Sequence, residues 1–450
     1  MPILIGLLLA VELSIDVFQL DLSLGPGLSL KNAMLYLVAG MIVVRMVARR
    51  DARFELRSLQ IAFQLLILYA IVTWLIAWKV VQYDNYPGAE NGFYIKGVLA
   101  DFYIFFLVCF YGLRTRDEAI TALTALLLAT SAANLVTIAE VTGLTHFGII
   151  EVRDNGRVQG ALGEANQYAG FLAFCIPLYA ASAYVTRGLW RAVWAGCAVL
   201  AVLAMLTTVS RGGFAALLGA AVIGCFMFKR YIAVGKLAAW SAIAATVAII
   251  VLFASSGTMR SLITDRLFNE TRQADFNSAT NGRQDIWVAM IQLMLDHPIT
   301  LVTGYGWRVY WSMPVLYSPH NTYLNYWFNL GLPGLTCLLV MLGTLFVTAR
   351  DVARNTSDET VRFLLIGFVF GMISIFISIF FVELYVPWIY LWACFGIIMR
   401  LALAAPPAAL PAGGNTQMTP TAARGNNPYG WAGAGKPAAT ARLHTAAPRH

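Results

Sequence analysis

The chain has 450 residues, of which 59% are hydrophobic, 13% aromatic and only 12% charged, with a formal net charge of +8. Soluble domains carry about 25% charged residues, so soluble globular, disordered, collagenous and disulfide-scaffold proteins are excluded and a polytopic helical membrane protein remains. The basic excess, which in a soluble chain would point to nucleic acid, becomes a question of which membrane side the cations occupy.

A bilayer core of about 30 Å takes roughly 20 apolar residues in a helix. In chain order, apolar runs predict spans near 2–20, 29–48, 58–78, 94–112, 119–140, 163–185, 190–208, 212–228, 232–253, 320–349, 361–381 and 386–403. The fold class is therefore an all-α polytopic membrane protein with about 12 transmembrane helices. The runs are continuous, without the alternation of a membrane barrel. The first is interrupted by Glu12 and Asp16. It lacks the basic n-region and small-residue cleavage site of a signal peptide, so it is expected to stay as a helix.

Every second connection is basic. Arg45, Arg49, Arg50, Arg53 and Arg57 follow span two, and Arg114 and Arg116 follow span four. Arg187 and Arg191, then Lys229, Arg230 and Lys236, then Arg350, Arg354 and Arg362 continue the alternation. The positive-inside rule makes these segments and both termini cytoplasmic. The cytoplasmic segments then carry a net +13 and the outer face a net −5, so the basic balance is a topology signal. The expected domain is 1–403. The remainder, 404–450, is rich in Ala, Pro and Gly, carries Arg424, Lys436, Arg442 and Arg449 without an acid, and reads as a disordered cytoplasmic tail. The six cysteines all lie in apolar runs without metal-ligand spacing and read as small buried residues.

Chemistry is expected on the outer face. Its longest segment by far, 254–319, joins spans nine and ten, and long ordered loops are often functional. Within it, 282–296 has a helical pattern, with Ile286, Met290 and Leu293 on one apolar face and Trp287 suited to the membrane interface. An amphipathic helix lying against the outer surface is predicted. The five arginines of this loop (Arg260, Arg266, Arg272, Arg283, Arg308) are matched by five acids, so any anion held there is held by placement and not by bulk charge.

Three patterns stand out. Ser210-Arg211-Gly212-Gly213 sets an arginine at a helix start beside glycines, where exposed backbone N–H groups and a guanidinium suit a phosphate. The plainer reading is an interfacial turn with a snorkelling arginine. Gly282-Arg283 with Trp287 opens the amphipathic helix. A cation in the first turn opposes the helix dipole, which points to a purpose other than helix stability, the plain alternative being an ion pair with Asp285. Pro319-His320-Asn321-Thr322-Tyr323-Leu324 places a histidine at the mouth of span ten, in the position of a general base.

Together these residues resemble the O-antigen ligase and polymerase family of bacterial inner-membrane glycosyltransferases. The resemblance rests on SRGG at 210–213, G-R-x-x-x-W at 282–287, His297-Pro298 with Gly304-Tyr305-Gly306, and HNTYL with Gly331. Arg157-Val-Gln-Gly160 through Asn166, Gln167 and Pro177 is similar to an earlier outer-loop motif of the family. The chain departs from the pattern in carrying Asn329 where relatives often have Glu, and Gly-Glu-Ala-Asn at 163–166 where they often have Pro before the Asn. The resemblance implies transfer of a glycan from undecaprenyl diphosphate to an acceptor hydroxyl at the periplasmic face, by direct inverting attack. The acceptor would be the lipid A core or a second lipid-linked glycan. It implies a reaction without cofactor or metal, and the outer loops show no Asp-x-Asp or histidine cluster. Arg211 and Arg283 would hold the diphosphate and His320 would take the acceptor's proton. Arg157, Arg266, Asn321, Tyr323 and Tyr305 would contact substrate. The competing class is a twelve-span transporter of a small solute. Against it, the connection between spans six and seven is brief (TRGLWR), the long loop comes late, and ionisable residues gather at span ends.

Overall fold

The computed structural model describes residues 1–25, 27–50, 54–148, 159–232, 282–315 and 317–407. Most of the ninth expected span (232–253), the candidates Arg157 and Arg266, and nearly all of the expected tail lie outside these residues.

Each of the eleven other expected spans falls on a helix. The described helices are α1 (Pro2–Val17), α2 (Leu30–Ala48), α3 (Arg57–Leu75), α4 (Gly88–Ile95), α5 (Asp101–Gly112), α6 (Arg116–Val141), α7 (Ala165–Val185), α8 (Gly188–Thr208) and α9 (Arg211–Met227). After the undescribed stretch come α10 (Arg283–Asp296), α11 (Ile299–Thr303), α12 (Thr322–Asn355), α13 (Glu359–Ser378) and α14 (Tyr385–Leu403). A small hairpin, β1 (Ser23–Gly25) with β2 (Leu28–Ser29), joins α1 to α2. A π-helical turn, Lys96–Ala100, fuses α4 and α5. Among the described residues, eight helical segments are long and apolar enough to cross a membrane, and α9 and most of α14 form two shorter apolar ones.

Local chemistry marks the helix starts. Ser29 and Asn32 form a reciprocal capping box for α2, and Thr115, Ser210, Asn321 and Asp358 cap α6, α9, α12 and α13 through side-chain oxygens. Each satisfies a backbone N–H that the helix cannot, worth about 1 kcal/mol per cap. Helix α13 is largely enclosed, packed by α7, α9 and α12, while α14, also largely buried, lies against α5, α6 and α12. All six cysteines are unbridged.

The basic connections meet at one end of the bundle. There Arg400 pairs with Glu55 at 2.7 Å, Arg116 with Asp358 at 2.5 Å, and the Tyr231 hydroxyl donates to the Arg354 carbonyl at 3.2 Å. The opposite end carries the starts of α2, α7, α9, α12 and α14 and the candidate residues.

Helix α12 breaks near that end. Gly331 adopts φ 61°, ψ −162°, followed by Pro333. Proline has no N–H and crowds the carbonyl four residues back, which is that of Asn329. The freed acceptors are taken up by the segment after α11: Tyr305 N–H donates to the Phe328 carbonyl and Gly306 N–H to the Asn329 carbonyl, each at 2.9 Å. That docking explains the two glycines. A Cβ on Gly331 would lie 2.0 Å from the Val302 carbonyl oxygen, and one on Gly304 would lie 2.4 Å from the Asn329 carbonyl oxygen.

The Gly331 backbone angles belong to a region essentially reserved for glycine, at a cost of about 1–3 kcal/mol for other residues. Gly331→Ala adds a clash to that strain. We expect it to lower the thermal unfolding midpoint and the yield of monodisperse protein in fluorescence-detected size exclusion. An unchanged midpoint would show that this contact does not hold the kink.

Candidate functional site

Arg211 is the first residue of α9. Just before it the backbone turns through Val209 at φ +47°, a left-handed conformation that is unfavourable for a β-branched side chain. Ser210 then caps the helix by accepting from Gly213 N–H and donates its hydroxyl to Asn166 Oδ1 at 3.0 Å. Asn166 in turn donates to Glu164 Oε1 at 2.9 Å. The Gly-Glu-Ala-Asn stretch at the start of α7 is thereby fastened to the Ser210-Arg211 turn.

Arg283 opens α10. Its Nη1 donates to the Phe381 carbonyl at 2.5 Å. Phe381 also abuts the Arg211 turn, since a Cβ on Gly212 would meet the Phe381 side chain at 3.3 Å. Burial pushes the Arg283 guanidinium pKa down, Glu164 and Glu383 push it up, and Arg211 adds to the lowering. Those opposing influences place two arginines and two carboxyls within electrostatic reach of one another. Arginine keeps its charge under such a shift.

His320 sits half-buried between Pro319 and the α12 cap, at φ +48°. Its backbone N–H donates to Ser318 Oγ at 3.5 Å. Two struts hold the segment. Trp287 Nε1 donates to the Pro319 carbonyl at 2.7 Å, and its ring meets Phe380 edge-on at 5.3 Å. On the other side Thr322 N–H donates to the Ile379 carbonyl at 2.8 Å and Thr322 Oγ1 to the Val382 carbonyl at 3.0 Å. Arg211, Arg283 and the His320 segment thus all converge on 379–383, the connection between α13 and α14.

That connection carries a residue with no role in the sequence reading. Glu383 is 3% exposed and neither carboxyl oxygen has a hydrogen-bond partner. Burial raises its pKa to about 7, although Ser318, Asn325, Arg308 and Arg283 all favour the charged form. Arg308, at φ +55°, is a third arginine of the site. Its guanidinium lies 3.7 Å from the Tyr94 ring centre and donates to Asn91 Oδ1 at 3.4 Å. Neither residue belongs to the patterns at Arg211, Arg283 and His320. For Arg308 the available signal was its place among the outer-face arginines. For Glu383 it was a lone acid between two long apolar runs.

Other expectations change. Trp287 is not an exposed interface anchor. With Met290 and Met294 it packs into a cluster with Tyr310, Leu324 and Phe328. The apolar face of α10 therefore turns inward, and Ile286 and Leu293 lie at its margin. Asn321 accepts from Leu324 N–H at 3.1 Å as a helix cap. The Tyr323 hydroxyl donates to the Phe376 carbonyl at 3.0 Å. Tyr305 stacks on Phe328 and donates to the Leu293 carbonyl at 2.5 Å. The hydroxyls of both tyrosines and the Asn321 oxygen thus make hydrogen bonds to the backbone around the site. Asn329 contacts Asn325, which reaches the Tyr385 hydroxyl at 3.5 Å.

Residues 196–339 match the family model described as O-antigen ligase. That stretch, about a third of the chain, is similar to O-antigen ligases. The match contains Arg211, Arg283 and His320, whereas Glu164 and Glu383 lie outside it. No curated protein matches the chain. A stretch similar to O-antigen ligases on a frame of apolar helices fits a membrane glycan-processing enzyme.

The Glu383 environment has a pH consequence. A carboxyl at about 7 in the folded state and 4.5 unfolded holds more protons when folded across that interval. Stability from this group therefore falls as pH rises from about 4.5 to 7. Glu383→Gln should remove that part of the slope, so its thermal midpoint gains on the wild type towards pH 8. Parallel midpoint curves for the two proteins would refute the assignment.

Proposed function

We propose that the protein is a glycosyltransferase of the bacterial inner membrane. In this reading it moves a glycan from undecaprenyl diphosphate to an acceptor hydroxyl at the periplasmic face, as an O-antigen ligase or polysaccharide polymerase. The observation that carries it is the convergence of Arg211, Arg283 and the His320 segment on 379–383, with all three residues inside the O-antigen ligase match.

The geometry suits departure of a diphosphate. Arg211 and Arg283 offer planar forks that bind phosphate oxygens two at a time and stabilise charge as the bond to the sugar breaks. Each charge-assisted hydrogen bond is worth about 1.5–3 kcal/mol. The first turn of α9, with its N–H groups beside Gly212 and Gly213, adds the positive end of a helix. His320 accepts the proton of the attacking hydroxyl, a task matched by an ordinary imidazole pKa of about 6.5. The hydroxyl oxygen bonds to the anomeric carbon as the carbon–diphosphate bond breaks, so configuration inverts. The sugar–diphosphate bond supplies the driving force, and the residues act without metal or nucleotide. Glu164 and Glu383 balance the arginines when no diphosphate is bound. Arg157 and Arg266 remain second-rank candidates for donor contacts. In this topology both termini are cytoplasmic and the site lies outside.

His320→Ala, Arg211→Ala and Arg283→Ala should each lower glycan transfer by about 100-fold or more, with membrane insertion and expression retained, and EDTA should leave the wild-type rate unchanged. Wild-type transfer by His320→Ala or Arg211→Ala would overturn the site assignment. Deletion of the gene followed by gel analysis of lipopolysaccharide and secreted polysaccharide identifies the acceptor. Loss of all long chains from the core, with lipid-linked polymer accumulating, marks a ligase. A single capped repeat marks an O-antigen polymerase, and loss of exopolysaccharide alone marks an exopolysaccharide polymerase.

A further inference from the structure

At the same end of the bundle, away from the arginines, lies a cavity of about 430 Å³, within the usual range for small-molecule sites. Its walls come from the end of α1, the β1–β2 hairpin, the start of α2, the π-helical turn and the start of α14. It is lined by a dense polar array. Lys31 pairs with Asp16, and Lys96 with Asp101 at 3.1 Å. Asn32 and the Tyr36 hydroxyl donate to Asp101 at 2.7 and 2.5 Å, and the Tyr390 hydroxyl donates to Asp16 at 2.5 Å. The π-helical turn that presents Lys96 is a rare distortion, found frequently at functional sites.

One lining group is left over. Glu12 is 1% exposed, faces this cavity, and its Oε1 has no hydrogen-bond partner. A buried carboxyl oxygen left unsatisfied in a largely apolar helix is costly. Phe93, by contrast, is 48% exposed although it lines the same cavity. Two lysines already neutralised by carboxylates, with a third carboxyl in excess, are wrong for a phosphate. Closely spaced acceptors and donors beside an open aromatic face suit a hydroxyl-rich ring. The hydroxyls exchange hydrogen bonds with the charged groups, and the C–H face of the ring stacks on Phe93.

A second cavity of about 340 Å³ shares Asp16, Ser23, Ser29 and Lys31 with the first and extends to Gly163. Gly163 immediately precedes Glu164, and Tyr385 in the wall of the first cavity is two residues past Glu383. The paired chambers therefore reach the two chain segments that carry Glu164 and Glu383. We propose that they form a saccharide-binding cleft that holds a sugar ring of the acceptor glycan, with Glu12 and Phe93 as its recognition elements. The acceptor role rests on the glycosyltransferase reading above. The capacity to bind a sugar does not.

The test uses the purified full-length protein in lipid nanodiscs. Thermal midpoints are measured with glucose, galactose and N-acetylglucosamine, since a ligand that binds only the folded state raises the midpoint. At least one sugar should raise it for the wild type and equally for Arg211→Ala. Glu12→Leu removes the unsatisfied carboxyl, so its own midpoint should not fall, but its sugar affinity should weaken by about tenfold or more. Phe93→Ala should weaken it as well. Steady-state transfer then separates the two glycans: both variants should raise KM for the acceptor and leave KM for the lipid-linked donor unchanged. No shift with any sugar, or a shift that survives in both cleft variants, overturns the cleft. A change in donor KM alone overturns the acceptor assignment. Full transfer by Arg211→Ala would instead overturn the transfer centre, a result the binding measurement reads separately.

Discussion

Helix α13 ends at Ser378 in a place without ready access to water, and the carbonyls that follow need donors. In a low-dielectric surrounding each unmet acceptor would cost a few kcal/mol. Three of the four carbonyls from Ile379 to Val382 are met by groups from the site: Thr322 N–H, the Arg283 guanidinium and the Thr322 hydroxyl. One helix end therefore sets where the arginine of α10 and the histidine before α12 stand relative to each other. The Arg211 turn joins them by packing Gly212 on Phe381. The hydrogen-bonding needs of a terminated helix thus help to organise the centre.

Electrostatics then acts on that frame. Arg211 and Arg283 repel each other, and Glu164 and Glu383 offset the repulsion. Arg283 donates a hydrogen bond to the neutral Phe381 carbonyl, which orients the guanidinium while its charge acts on its neighbours.

Much of the helical frame was legible in the sequence because it depends on long apolar runs. Glu12 and Asp16 interrupt the first run, yet α1 forms, since Asp16 is met by Lys31 and Tyr390. The Arg211, Arg283 and His320 positions were legible because arginine at a hydrocarbon edge and histidine at a helix mouth are chemically odd. What stayed hidden was direction. Asn321, Tyr323 and Tyr305 lie beside those residues in the chain, but their polar atoms turn toward the backbone of α12, α13 and α10. Trp287 has the composition of an interface anchor, and only its bond to Pro319 shows it to be a strut. Glu383 was not legible because the groups that favour its charged form come from four separate segments of the chain.

The break at Gly331 has a mechanical consequence. Helix α12 has 34 residues, about 50 Å at 1.5 Å each, well beyond a hydrocarbon core of about 30 Å. A straight rod of that length would transmit every tilt imposed by changing bilayer thickness to its tip. With the break, the short portion Thr322–Leu330 is tied to 304–306 and to 379–382, while the long portion below packs against α3 and α13. The break therefore lets the direction of the His320 cap be set by its hydrogen-bonded neighbours and not by the tilt of the long lower portion.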